Sequence, residues 1–422
     1  GGLSYQEGNE GGREPAGSKS GAAKIRHFDS AGPTGIGIYG NHLGGPDLKS
    51  LAIDVRMVNH SGIGTYIKNI IPRIVRLFPE INFYLIGNPN DLKDNGMTLF
   101  DNARVIACRA DIYTLTEQFA VPLKLPSDTH TLWVPHYNAP AFLPLRHRLL
   151  VTIHDVNHLA MSSLVEGMHK KIYATLMFKA TASRAANIIC VSHFTASELQ
   201  HYVGIDGTKV HVVHNGIDDS WFNPPHSISP HSKPYILYVG NVKPHKNLRR
   251  LLEAYRLLMA QTPHDLLIIG KKDGLITGEK SLNDISSTFD GRVSLLGYVD
   301  QKNIGKYFSH ADVFVFPSLY EGFGFPPLEA MACGVPVVSA DRGALPEVLG
   351  DAAILVDPYD SNAIAEGIRK VITDQKLRQK LVNRGVHQAR EFTWARASHK
   401  TAEIIRACIH GDEILQRRVQ LF

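Results

Sequence analysis

The sequence predicts an α/β protein made of two doubly wound parallel-sheet domains, and three observations carry that prediction. From Leu51 onward, short apolar runs alternate with segments whose apolar residues recur every three or four positions, which is the pattern of βαβ units. The chain has 422 residues, beyond the roughly 250–300 at which a single core stops growing. The stretch WFNPPHSISPHSKP (221–234) holds four prolines and no apolar periodicity. It interrupts the alternation, which restarts after it, so it marks a linker.

Strands are expected in order at LAIDVRM (51–57), NFYLIGN (82–88), ARVIAC (103–108), TLWVPH (131–136), LLVTIHD (149–155), NIICVS (187–192) and KVHVVHN (209–215). Helices are expected between them, notably over 65–78 and 167–185. After the linker come YILYVGN (235–241), a helix over about 247–260, DLLIIG (265–270), RVSLLG (292–297), DVFVFPS (312–318), VPVVSA (335–340) and AILV (353–356). The expected division is an extension over 1–48, a first domain over 49–225, a second over 226–392 and a closing helix over 393–422. The extension is rich in Gly, Ser and Pro and reads as flexible or added sequence. Thr393 is placed to cap the closing helix.

Composition excludes more than it identifies. With 44% hydrophobic and 20% charged residues the chain is globular. A net charge of +5 suits an anionic ligand or an acidic membrane surface and is too weak to imply nucleic acid. Cys108, Cys190, Cys333 and Cys408 lie far apart, which fits a reducing compartment, so the cytoplasm is expected. No run approaches the ~18 apolar residues of a membrane-spanning helix.

The most informative stretch is DVFVFPSLYEGFGFPPLEAMACGVPVVSADRGALPEV (312–348). A buried strand ends at Pro317 and Ser318, and Glu321, Gly322, Phe323, Gly324 and Phe325 make a turn whose glycines let the main chain approach a ligand closely. Pro327 suits the first position of the following helix, and the amides of 322–325 offer a seat for a diphosphate. Glu329, expected in the first helical turn, can accept hydrogen bonds from ribose hydroxyls, while Glu321 would face the sugar beyond the phosphates. Taken alone, Glu329 reads equally well as an acid complementing a helix dipole.

EGFGFPPLEAMACGVPVV resembles the E-x7-E segment of retaining glycosyltransferases in family 4, the large family of sucrose synthases and bacterial mannosyltransferases. Other stretches resemble that family in the right order over 51–408: IDVRMVNHSGIGTYI, VTIHDV, IICVSHFTASEL, VVHNGID, YVGNVKPHKNLRRLLEA and FTWARAS. The resemblance implies a GT-B fold, two Rossmann-like domains facing a cleft, with the last helix crossing back onto the first domain. It implies a nucleotide-sugar donor, with UDP-hexose first and GDP-mannose next, a glycan or lipid-linked acceptor, no cofactor and no metal.

The resemblance also assigns roles. Lys246 would bind the donor phosphates, and His154 would contact the hexose near its anomeric carbon. The loop Gly62-Ile63-Gly64 would approach phosphates and acceptor. Most members carry an Arg directly after the strand glycine, whereas here Asn241 follows Gly240, and Lys243 is the nearby cation that would substitute. HDVNH also invites a metal reading through His154, Asp155 and His158, but its spacing matches no standard zinc or iron pattern. Ser192 and Thr195 read as helix-cap residues, Asn215-Gly216 as a turn first and a donor contact second, and Glu347, which also belongs to a family pattern, first as structural. Segment 167–185 interleaves basic and apolar residues; it reads first as a surface helix and second as a peripheral membrane contact. Two rivals stand beside transfer: a GT-B-shaped epimerase or hydrolase, and a silent nucleotide-sugar-binding scaffold.

Overall fold

A computed structural model describes residues 50–161, 168–224, 228–270 and 289–410. The expected extension over 1–48, the first residue of segment 167–185, part of the linker and the end of the closing segment lie outside these residues.

Among the described residues thirteen strands form, each where an apolar run was expected. The first sheet comprises β1 (Ser50–Asp54), β2 (Asn82–Gly87), β3 (Ala103–Ala107), β4 (Thr129–Val134), β5 (Arg148–Ile153), β6 (Asn187–Cys190) and β7 (Val210–Val212). Its order is β3-β2-β1-β4-β5-β6-β7. The second comprises β8 (Tyr235–Val239), β9 (Asp265–Ile269), β10 (Val293–Gly297), β11 (Val313–Phe316), β12 (Val337–Ala340) and β13 (Ala353–Val356), in the order β10-β9-β8-β11-β12-β13. Every pairing is parallel.

Parallel strands joined by helical crossovers are covered on both faces, which is why these runs are apolar throughout and do not alternate. In β1, Leu51 and Ile53 pack with the helix Ser61–Leu77 and Trp133, while Ala52 faces a second cluster with Leu132 and Val134. In both sheets the order reverses once, between β1 and β4 and between β8 and β11. Such switch points open a crevice beyond the carboxyl ends of the strands, where ligands bind.

The helix Trp394–His410 closes the fold by returning to the first sheet. Trp394, Ala397, Ile405 and Cys408 join the core around β1 and helix Ser61–Leu77. Thr393 caps it, its hydroxyl accepting the Arg396 amide at 3.2 Å. Two Rossmann-like domains bound by a crossing helix are the GT-B architecture.

Candidate active site

The loops leaving β8 and β11, the two strands at the second switch point, are laced together. The His245 carbonyl accepts the Leu319 amide at 2.7 Å and the Ser318 hydroxyl at 3.1 Å. Asn247 is left-handed at φ 60° and buried, and its amide nitrogen donates to the Pro317 and Pro358 carbonyls at 3.0 and 2.7 Å. This lacing brings Lys246 Nζ to 2.5 Å from Glu321 Oε1 and over the Phe316 ring at 5.2 Å. Lys246 does not open the helix that follows it. It ends the 3-10 turn Pro244–Lys246, and the helix Leu248–Leu258 starts only after the left-handed Asn247 has redirected the chain. Gly240 closes β8 with its amide on the Ile269 carbonyl, Asn241 is half-buried, and Lys243 is exposed with no side-chain partner among the described residues.

The turn after Glu321 is shaped by its glycines. A Cβ on Gly322 would sit 1.8 Å from the His154 carbonyl oxygen, so only glycine lets the second domain touch the first here. Gly324 has φ 113°, a region L side chains rarely adopt, and the helix Phe325–Ala332 begins directly after it. The first helical residue is therefore Phe325, and Pro327 is third. Pro326 and Pro327 lack N–H groups, so this helix start offers fewer amides to the expected phosphate than an ordinary one. The amides of Gly322, Phe323, Gly324 and Phe325 donate to no described residue.

Glu329 is the fifth helical residue, and no acid occupies the first turn. Its carboxyl is therefore not a dipole-complementing acid but a half-buried group one turn deeper. It has no hydrogen-bond or ion-pair partner among the described residues, and burial pushes its pKa up to about 8. A desolvated carboxyl without a counter-ion is unfavourable to keep charged, and hydroxyl donors from a ligand would relieve it.

On the first domain, His154 follows β5. Its Nε2 lies 3.0 Å from the Pro135 carbonyl and its ring packs edge-on to Tyr66 at 5.0 Å. Burial pushes its pKa down to about 4, so at neutral pH the ring is uncharged and donates Nε2–H, leaving Nδ1 as an acceptor. Gly62, Ile63 and Gly64 do not precede a helix. They form the irregular first turn of Ser61–Leu77, where Gly62 takes φ 0° and the Gly64 amide reaches the His60 carbonyl at 2.8 Å. An aromatic chain of Phe325, Trp394, Tyr66 and His154 links the two domains beneath the cleft.

Comparison with known proteins places this geometry. Residues 219–388 match the Glycosyl transferases group 1 family and residues 127–221 match Glycosyltransferase Family 4. O-antigen chain mannosyltransferase B of Escherichia coli is 31% identical over 287 residues, covering 63% of this chain and 72% of that protein. The chain belongs to the group 1, family 4-type glycosyltransferases. It is a hexosyl-transferring enzyme. The serotype-specific mannosyltransferase WbdA of Escherichia coli is 27% identical over 66% of this chain, which spans only 35% of that relative. Among solved structures, sucrose-phosphate synthase of Thermosynechococcus elongatus superposes with TM-score 0.68 at 20% identity, over 85% of this chain and 98% of that one. Anabaena HepE in complex with UDP and glucose superposes with TM-score 0.65 at 17% identity, over 85% and 100%. No described helix is long and apolar enough to cross a membrane.

In this glycosyltransferase several residues matter that the sequence left unremarked or undervalued. Glu347 of the second domain accepts the His193 and Phe194 amides at 2.9 and 3.0 Å, at the start of the first domain's helix His193–Val203, and pairs with His214 at 2.6 Å. Those hydrogen bonds hold its pKa below the usual carboxylate range against the opposing effect of burial. His193, His214 and Glu347 also have metal-ligand proximity. The carboxylate is already engaged by two amides and His214, so the cluster reads as an interdomain clasp. Ser192 caps the same helix and also donates to the Gly322 carbonyl at 2.7 Å, so the cap doubles as an interdomain contact. Tyr238, in β8 before the loop to Lys246, keeps a buried hydroxyl with no partner among the described residues.

Proposed function

We propose that this glycosyltransferase moves mannose, with retention, from a nucleotide diphosphate donor to a glycan hydroxyl in polysaccharide assembly, with GDP-mannose as donor ahead of UDP-glucose. The observation that carries the reading is the Lys246–Glu321 pair at the β8/β11 switch point, flanked by four amides without protein acceptors and by the uncompensated carboxyl of Glu329. The diphosphate would lie between Lys246 and the 322–325 amides, the ribose hydroxyls on Glu329 and the hexose beside Glu321 and His154. Lys243 would supply the second cation, in place of the Arg that Asn241 displaces. The preference for mannose rests on the names of the relatives, among them O-antigen chain mannosyltransferases of Escherichia coli and Salmonella typhimurium.

Chemically, the bond from the anomeric carbon to the phosphate oxygen breaks while a bond to the acceptor oxygen forms on the same face. The acceptor proton passes to the departing phosphate oxygen, so no side chain need act as base. Lys246 and the amides stabilise the charge that builds on the leaving group, and neutral His154 places its lone pair near the developing positive charge. With these donors supplying the charge stabilisation, we propose that transfer needs neither metal nor cofactor.

A thermal-shift panel of UDP, GDP and ADP and their sugars, with and without EDTA, tests the reading. The expected result is the largest stabilisation by GDP and GDP-mannose, unchanged by EDTA. Stabilisation by none of the nucleotides would refute it.

A further inference from the structure

Three segments that follow strands of the first sheet bring an aromatic platform together. Tyr113 follows β3, Tyr137 follows β4 and His158 lies just past β5. The Tyr113 ring stacks on Tyr137 with centroids 5.6 Å apart and planes 25° apart, and Tyr137 in turn stacks on Phe178 at 4.1 Å. Tyr113 nevertheless remains 41% exposed. Tyr137 therefore supports one face of the ring, the His136 ring meets it at 6.5 Å with planes 69° apart, and part of the residue reaches solvent. His158 is exposed at the rim, its ring 5.8 Å from that of Tyr137.

The support beneath the platform is unusual for a surface loop. Arg56 bridges Asp54 and Glu117 at 2.6 and 2.8 Å, and all three are buried or nearly so. Glu117 then accepts the Tyr113 amide at 2.6 Å and the Asn138 side-chain amide, and Asn138 accepts the Tyr173 hydroxyl at 3.0 Å. Tyr113 itself is held at φ 63°, a conformation that costs a non-glycine residue of order 1 kcal/mol and persists where its surroundings over-determine it. A buried ion pair contributes little net stability but fixes geometry. Here the geometry fixed is that of one exposed aromatic ring.

Residues beside the platform border the loops that carry Glu321 and Lys246. Asp155 is an electrostatic neighbour of both tyrosines, and its Cβ lies 2.9 Å from where a Cβ on Gly322 would stand, directly against the loop that carries Glu321. His158 is an electrostatic neighbour of His245, the residue before Lys246. A flat apolar face rimmed by a carboxylate and an imidazole matches a pyranose ring, whose C–H face is apolar and whose edge is hydroxylated.

Resting on the transferase reading above, we propose that Tyr113 is the stacking platform for the terminal pyranose of the acceptor glycan, with Asp155 and His158 receiving its hydroxyls. The enzyme would then select acceptors that end in a pyranose over those presenting a bare lipid or phosphate.

The test is saturation-transfer NMR on the full chain, with methyl α-D-mannopyranoside as probe, alongside thermal shift with GDP-mannose and UDP-glucose. Tyr113→Gly removes the ring without backbone strain, because glycine accepts the left-handed conformation. Tyr113→Phe keeps the stacking face. Loss of a single aromatic face should weaken probe binding roughly tenfold in Tyr113→Gly, with Tyr113→Phe close to wild type and the donor-induced shift retained. In wild-type protein, deuterating the tyrosine rings should reduce transfer to the probe, a readout that needs no variant. Unchanged probe affinity in Tyr113→Gly, or transfer indifferent to tyrosine deuteration, overturns the platform while the donor shift stands. Absence of any donor shift in wild type overturns the transferase reading instead, and with it the assignment of the platform to an acceptor.

Discussion

Glu329 shows how one side chain's surroundings translate into measurable behaviour. In the ligand-free protein burial lifts its pKa from an ordinary 4.5 to about 8, so the carboxyl is protonated at neutral pH. Ribose hydroxyls donating to the carboxylate favour the charged form, so donor binding should lower that pKa and release a proton. Affinity for the donor should therefore rise with pH, by up to about tenfold per unit, and level off above about 8. The folded protein also holds this proton more tightly than the unfolded chain, so Glu329 removes stability as pH climbs from 4.5 toward 8. Calorimetric titration with GDP in buffers of different ionisation enthalpy should detect the released proton, and Glu329→Gln should abolish both the release and the slope. A slope that persists in Glu329→Gln would remove Glu329 from the donor site.

At the level of elements, the turn between β8 and the helix Leu248–Leu258 decides where Lys246 points. Asn247 accomplishes this through one left-handed residue and two buried hydrogen bonds. Asn247→Ala should lower unfolding free energy by about 2–4 kcal/mol, from two orphaned carbonyls and the left-handed strain. Urea denaturation measures this, and Asn247→Gly should recover the strain component alone. The strands were legible because buried parallel strands are continuous apolar runs. Most strands end one to three residues short of those runs, since residues such as Pro135 and His136 lie beyond the last pairing, whereas β10, β12 and β13 end with theirs. The turn was not legible, because PHKN reads as an ordinary helix start and nothing local announces that the asparagine reaches the Pro317 and Pro358 carbonyls. The same limit applies to the EGFGFPP segment. Its glycines and acids were evident, but the missing amides of Pro326 and Pro327 matter only once the helix is known to begin at Phe325.

Across the whole molecule, the two sheets would contribute different halves of the one proposed reaction. The second carries Lys246, Glu321 and Glu329 at its switch point, and the first carries His154 and the Tyr113 platform. Gly322 against His154, Ser192 on the Gly322 carbonyl, Glu347 on the start of helix His193–Val203 and the returning helix Trp394–His410 hold the halves in register. None of these contacts could be read from spacing, because each joins residues more than a hundred positions apart. The resemblance to family 4 named Lys246 and Glu321 as separate site residues without pairing them, and their contact is the one on which the proposed chemistry depends. The most direct measurement is turnover of GDP-mannose by wild type and by Lys246→Ala, read as released GDP in the presence of a mannoside acceptor. Wild type should turn the donor over, and the variant should lose about a hundredfold or more in kcat while keeping its fold. Equal turnover by the two proteins would contradict the assignment of Lys246 and Glu321 as the centre of the donor site.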